Sequence, residues 1–81
     1  MKVPRDVGGD DLVKALRRLG YSVTRQTGSH VRLTITIGGE TRQVSVPMHA
    51  FLKIGTIHGI LTEVAEHLGT DTNSVTQRLF G

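Results

Sequence analysis

The sequence predicts an α+β fold, a three-stranded antiparallel sheet with helices on one face, in the order α-β-β-β-α plus a short C-terminal helix. Three observations lead there. Apolar residues recur at helical spacing towards both ends, they alternate with polar ones between residues 21 and 46, and glycines stand where one pattern gives way to the other. The 81 residues leave room for one domain with one modest core, because a chain this short buries only about 60% of its unfolded surface. Function must therefore sit on the outside.

Residues 1–8 read as an N-terminal lead-in, and 9–81 as a single domain. After Gly8-Gly9, Asp10 is placed to cap a helix in which Leu12, Leu16 and Leu19 form one apolar stripe. Gly20 ends it, as a left-handed C-terminal glycine does. Lys14, Arg17 and Arg18 fall off the stripe and face water. From Tyr21 the period is two, with Tyr21 and Val23 alternating against Ser22, Thr24 and Gln26. The clearest strand follows, with Val31, Leu33, Ile35 and Ile37 on one side and His30, Arg32, Thr34 and Thr36 on the other. Gly38-Gly39 signals a tight hairpin, and Thr41 to Val46 returns as a third strand before Pro47.

One face of this sheet is apolar and must be covered. Thr56 is placed to cap a helix carrying Ile57, Ile60, Leu61, Val64 and Leu68, closed by Gly69. Gly59 inside it, at up to about 1 kcal/mol of helix propensity, implies close approach to the sheet. A last helix, roughly Asn73 to Leu79, adds Val75 and Leu79 to the core. Sequential strands joined by short turns favour an antiparallel meander with helices on one side and the polar face open. That is the arrangement of double-stranded-RNA-binding domains.

With no Cys, thiolate nucleophiles, disulfide scaffolds and Cys-based zinc sites are excluded. The apolar runs are short and interrupted, which points to a cytoplasmic protein without a membrane segment. Charge is unevenly placed. Residues 1–53 carry nine Lys/Arg against four acids, whereas 54–81 carry Arg78 against three acids, Glu63, Glu66 and Asp71. The basic part makes a nucleic acid a candidate partner, with a merely solvated surface as the alternative.

Chemistry centres on Gly28-Ser29-His30. Glycine ends one strand, a hydroxyl follows, and the imidazole opens the next strand pointing away from the core. His30 and Arg32 then share a face about 7 Å apart, two strand rises. Imidazole ordinarily titrates near neutrality, so an accessible one takes a proton from a ribose 2′-hydroxyl or gives one to a leaving oxygen. A neighbouring guanidinium can hold the phosphate. Because RNA supplies its own nucleophile, few protein groups are needed.

Several elements together resemble the HicA family of messenger-RNA-cutting toxins. They are Leu16-Arg17-Arg18-Leu19-Gly20-Tyr21, Arg25-Gln26-Thr27 and Gly28-Ser29-His30, then Val46-Pro47-Met48-His49, Leu52-Lys53-Ile54-Gly55-Thr56 and Ile60-Leu61. The likeness covers roughly residues 9 to 68, in order and with matching spacing. It implies a metal-independent endoribonuclease of double-stranded-RNA-binding-domain fold, without small-molecule cofactor, that acts on mRNA and is neutralised by a HicB-type antitoxin. The family's catalytic histidine falls on His30. Where the family often has a second histidine directly after the first, Val31 stands here, as an inward strand position demands.

Ser29, Arg32 and His49 are candidates for catalytic support, His49 either as a second proton carrier or as a loop-orienting donor. Lys14, Arg17, Arg25, Arg32 and Lys53 are candidates for RNA contact or for docking an acidic partner. His58 and His67 lie nine apart on one helix, outside any zinc-ligand pattern, with His67 placed to meet the helix dipole. With Tyr21 inward and Phe51 and Phe80 the remaining aromatics, backbone and shape contacts are favoured over base stacking. Two other readings stand beside the nuclease. Leu61 to Gly81 also resembles a helix-turn-helix, with Ala65, Gly69, Val75 and Leu79 as its packing and turn positions, although its second helix carries one base, Arg78. A non-catalytic RNA-binding domain would keep the fold and drop the chemistry.

Overall fold

A computed structural model describes residues 3–81. Helix α1 spans Gly9–Leu19, strands β1, β2 and β3 span Ser22–Thr27, His30–Ile37 and Glu40–Pro47, and helices α2 and α3 span Ile54–Leu68 and Thr72–Phe80. The strands form one antiparallel sheet in the order β1-β2-β3. This is the predicted α+β order, with element ends moved by one to three residues.

Two tight turns set the register. Gly38 and Gly39 both have positive φ, 59° and 82°, as a type I′ turn requires. Ile37 is consequently opposite Glu40, Leu33 opposite Val44, and Arg32 opposite Ser45. At the other end Gly28 has φ 56° and Thr27 pairs with His30, so Gly28-Ser29 is also a two-residue connection. The Met48 amide donates to the Ser29 carbonyl, which ties the exit of β3 to this turn.

The core forms on the side of the sheet that carries Val31, Leu33, Val44 and Val46, all 4% exposed or less. Helix α1 adds Leu12 and Leu16, α2 adds Leu61 and Val64, and α3 adds Val75 and Leu79. Leu19 and Leu68, at the two helix ends, are only partly buried. Val7, in the stretch before α1, is buried and its carbonyl accepts from the Leu52 amide at 2.8 Å. Because α1 and α2 pack against β3, β1 at the far edge is left uncovered and all six of its residues are exposed.

Several local expectations are corrected. The N-cap of α1 is Gly8 rather than Asp10, and the Gly8 amide donates to the Asp11 carboxylate at 3.0 Å. A side chain at Gly9 would run into the Pro47 carbonyl, so the helix starts where the backbone meets the loop after β3. Helix α2 begins at Ile54 with Lys53 as N-cap, which puts Thr56 inside the first turn. Gly59 is on the solvent side with no atom within 4 Å of a built Cβ, so it makes no close approach to the sheet. Tyr21 lies just before β1 rather than within it. Val23 is 43% exposed because no helix covers the edge it sits on. Asp71 caps α3 by accepting from the Ser74 amide at 2.8 Å, and this bond holds its carboxyl below the ordinary range.

The two glycines give opposite expectations. Gly59→Ala should stabilise by about 0.5–1 kcal/mol, the propensity difference at an open helix site. Gly9→Ala should destabilise despite the same propensity gain. Chemical denaturation measures both, and a Gly9→Ala protein as stable as the parent would contradict the close contact between α1 and the loop. Leu33→Ala should cost about 2–5 kcal/mol in the same measurement, as a fully buried leucine at the sheet centre.

Candidate functional site

Covering one side of the sheet leaves the other to solvent, and pairing turns that side into a grid. One row runs Thr27, His30, Pro47 across the three strands, and the next runs Arg25, Arg32, Ser45. Further along lie Thr34 opposite Gln43 and Thr36 opposite Thr41, whose hydroxyls meet at 3.3 Å. Directly opposed residues share a face with Cβ atoms about 5 Å apart. Arg25, Thr27, His30, Arg32 and Ser45 together line a shallow depression of about 60 Å³.

Arg25 reaches this face through an irregularity. A strict alternation from Tyr21 puts Arg25 on the helix side and Gln26 on the open side. A β-bulge between Val23 and Arg25 reverses this, so Arg25 is opposite Arg32 while Gln26 is opposite the buried Val31. The displaced residue, Thr24, donates its hydroxyl to the Arg32 carbonyl at 3.4 Å.

No acidic residue occupies the open face of the sheet. Among the described residues the one salt bridge joins Glu40 and Arg42, at 2.8 Å, and their register partners Ile37 and Ile35 belong to the other face. Neither Arg25 nor Arg32 has a carboxylate partner within 4 Å. Two like charges on opposed positions repel, and an incoming anion removes that repulsion.

The remaining candidates are more dispersed. Ser29 is exposed in the turn before His30. His49 is exposed two residues after Pro47, with its backbone carbonyl accepting from the Gly9 amide at 2.9 Å, and it does not line the depression. Lys14 and Arg17 are exposed on α1, and Lys53 is exposed at the start of α2. Only Arg25 and Arg32 of the five basic candidates come together beside His30. Thr27 and Ser45, outside the sequence-predicted set, also line the depression with their hydroxyl-bearing side chains. Both follow from counting outwards from the two-residue turns.

His67 is not free for the helix dipole as expected. Its Nδ1 is 2.9 Å from the Tyr21 hydroxyl, a bond that ties the start of β1 to the end of α2. Tyr21 is 2% exposed, and burial, with Glu63 nearby, pushes its hydroxyl up to about 12. Helices α2 and α3 do follow one another across Gly69, but Arg78 is the one base on α3, and Asp71 caps it. Among the described residues no three His, Asp or Glu side chains converge as a metal-ligand set, and no helix is long and apolar enough to cross a membrane.

Fold and site thus define a small α+β domain with a basic, hydroxyl-rich, acid-free sheet surface. A family model described as the HicA toxin of bacterial toxin–antitoxin systems matches residues 9–65, and the chain belongs to that family. It is therefore the toxin of a toxin–antitoxin pair, with a cognate antitoxin as partner. No curated protein and no solved structure matches the chain. The matched span runs from the first residue of α1 into the last turns of α2, and so includes the whole sheet and its open face.

Tyr21 is the single tyrosine, so its titration can be followed by tyrosinate absorbance without interference. The midpoint should lie near 12 in the folded protein and fall towards about 10 in denaturant. Because the folded value is raised, the associated stability is fully present below the unfolded value and lost as pH rises through the folded one. A folded midpoint at the unfolded value would contradict the burial of this hydroxyl.

Proposed function

We propose that this toxin is an endoribonuclease that cuts mRNA in the cytoplasm with His30 as its proton-transfer group, and that a HicB-type antitoxin neutralises it. The observation that carries the reading is the surroundings of His30: an exposed imidazole one row from two opposed arginines, on a sheet face with no carboxylate. Family membership supports the same reading. Residues 9–81 would act as one domain, since α3 adds Val75 and Leu79 to the shared core.

The chemistry suits a site with one imidazole. His30 takes the proton of a ribose 2′-hydroxyl, and the oxygen attacks the adjacent phosphorus. The bond from phosphorus to the 5′-oxygen breaks, and the leaving oxygen receives a proton from the imidazolium. The products are a 2′,3′-cyclic phosphate and a 5′-hydroxyl, with no net proton gained or lost and no metal required. Arg32 lies about 7 Å along the same strand, two rises, where a guanidinium stabilises negative charge developing on phosphate oxygens. Ser29, directly before His30, and His49, two residues beyond Pro47, would act as supporting groups. Lys14, Arg17 and Lys53 do not line the depression and would serve long-range attraction of a polyanion. The absence of aromatic side chains from the open face favours backbone contact over base stacking.

His30→Ala should abolish growth arrest in cells expressing the toxin and slow RNA cleavage by about 10²–10⁴-fold, the usual contribution of one proton-transfer group. Its circular-dichroism spectrum should match the parent's, because the side chain packs against nothing in the core. Growth arrest that persists with a folded His30→Ala protein would end the assignment. RNA that is bound but left intact by the parent protein would leave a binding domain without chemistry.

A further inference from the structure

The bulge at Thr24 places two guanidiniums on adjacent strands with nothing negative between them. We propose that Arg25 and Arg32 form a two-armed site for one RNA phosphate, with Thr27 and Ser45 as hydroxyl donors, two strand rises from His30. Arg25 is then a substrate-binding residue, and the bulge is the device that supplies it.

Three features converge on a phosphate rather than on a general cationic surface. First, the arginines are opposed in register, so their arms leave the sheet side by side and a tetrahedral anion can accept from both, as guanidinium forks favour. Second, the depression they line is small, about 60 Å³, and its other walls are Thr27, Ser45 and His30, side chains that are able to donate hydrogen bonds and carry no negative charge. Third, the opposed register is fixed by the β1–β2 ladder and the two-residue Gly28-Ser29 turn, with the Thr24 hydroxyl donating to the Arg32 carbonyl at 3.4 Å across the bulge.

The site depends on the nuclease reading only for the identity of its ligand, the phosphodiester next to the ribose that His30 addresses. Held there, the phosphate is neutralised from the side opposite His30, and the neighbouring 2′-hydroxyl is brought towards the imidazole. Which bases flank it is left open, since every contact is to phosphate oxygens, so the clamp positions RNA without reading its sequence.

Inorganic phosphate is the first probe, titrated into the full chain at fixed ionic strength with chloride as the balancing ion and followed by amide chemical shifts. Saturable shifts are expected at Arg25, Thr27, Arg32 and Ser45. Arg25→Ala should weaken phosphate binding by about tenfold or more, as loss of one charged two-bond contact does. Arg25→Lys should fall between the two, and Arg78→Ala on α3 should bind as the parent does. The second probe is a single-stranded oligoribonucleotide bound to the His30→Ala protein. Adding Arg25→Ala and Arg32→Ala together should make the slope of log affinity against log salt shallower by about 0.7, the value for one phosphate no longer neutralised. Shifts that follow ionic strength alone, or an Arg25→Ala protein that binds phosphate like the parent, would overturn the clamp even if RNA is cut. Phosphate binding that depends on Arg25 in a protein that never cuts RNA would uphold the clamp and remove the nuclease reading. Binding of free phosphate with an unchanged RNA salt slope would overturn the phosphodiester as ligand.

Discussion

The whole arrangement depends on the parity of a three-stranded sheet whose apolar side is sealed. Burying Val31, Leu33, Val44 and Val46 under α1 and α2 commits the intervening residues of β2 and β3 to the opposite side. A strand has no third option, since successive side chains alternate. The exposure of His30 and Arg32 is thus enforced by hydrophobic burial elsewhere, and a one-residue slip that hid the histidine would also expose the core. The side chains that face RNA in this reading are held by interactions in which they take no part.

Legibility in the sequence followed the strength of that constraint. β2 could be read residue by residue because Val31 to Ile37 alternates without interruption and Gly38-Gly39 fixes its partner strand. The same alternation puts His30 and Arg32 on the open face. β1 was harder. The alternation begun at Tyr21 and Val23 does not survive the bulge, so it gives the wrong face for Arg25 and Gln26. Counting back from Gly28-Ser29 gives the right one. A turn constrains register over the few residues next to it more tightly than a polar, edge-strand pattern does, because Ser22 to Thr27 bury nothing that would penalise a slip.

The helix boundaries illustrate a different limit. Asp10 and Thr56 have the chemistry of N-caps, yet the caps are Gly8 and Lys53, and the start of α1 is set by where it meets the loop after β3. That contact joins residues some forty positions apart, and nothing in the local sequence marks it. The same holds for the bond between Tyr21 and His67, separated by 46 positions. An inward tyrosine needs a partner for its hydroxyl, but which residue supplies it is decided by packing. Helix α3 lies beyond the span matched to the family and contributes Val75 and Leu79 to the core.

A polar sheet face becomes an enzyme surface only if its imidazole moves the proton of the RNA itself. The most direct measurement is single-turnover cleavage, in EDTA, of an oligoribonucleotide and of the same oligonucleotide with 2′-O-methyl riboses, with the new ends identified. We expect the first to yield 2′,3′-cyclic phosphate and 5′-hydroxyl ends and the second to remain whole. Cleavage of both, or ends that carry a 5′-phosphate, would show that the nucleophile is not the ribose and that His30 does not have the part given to it here.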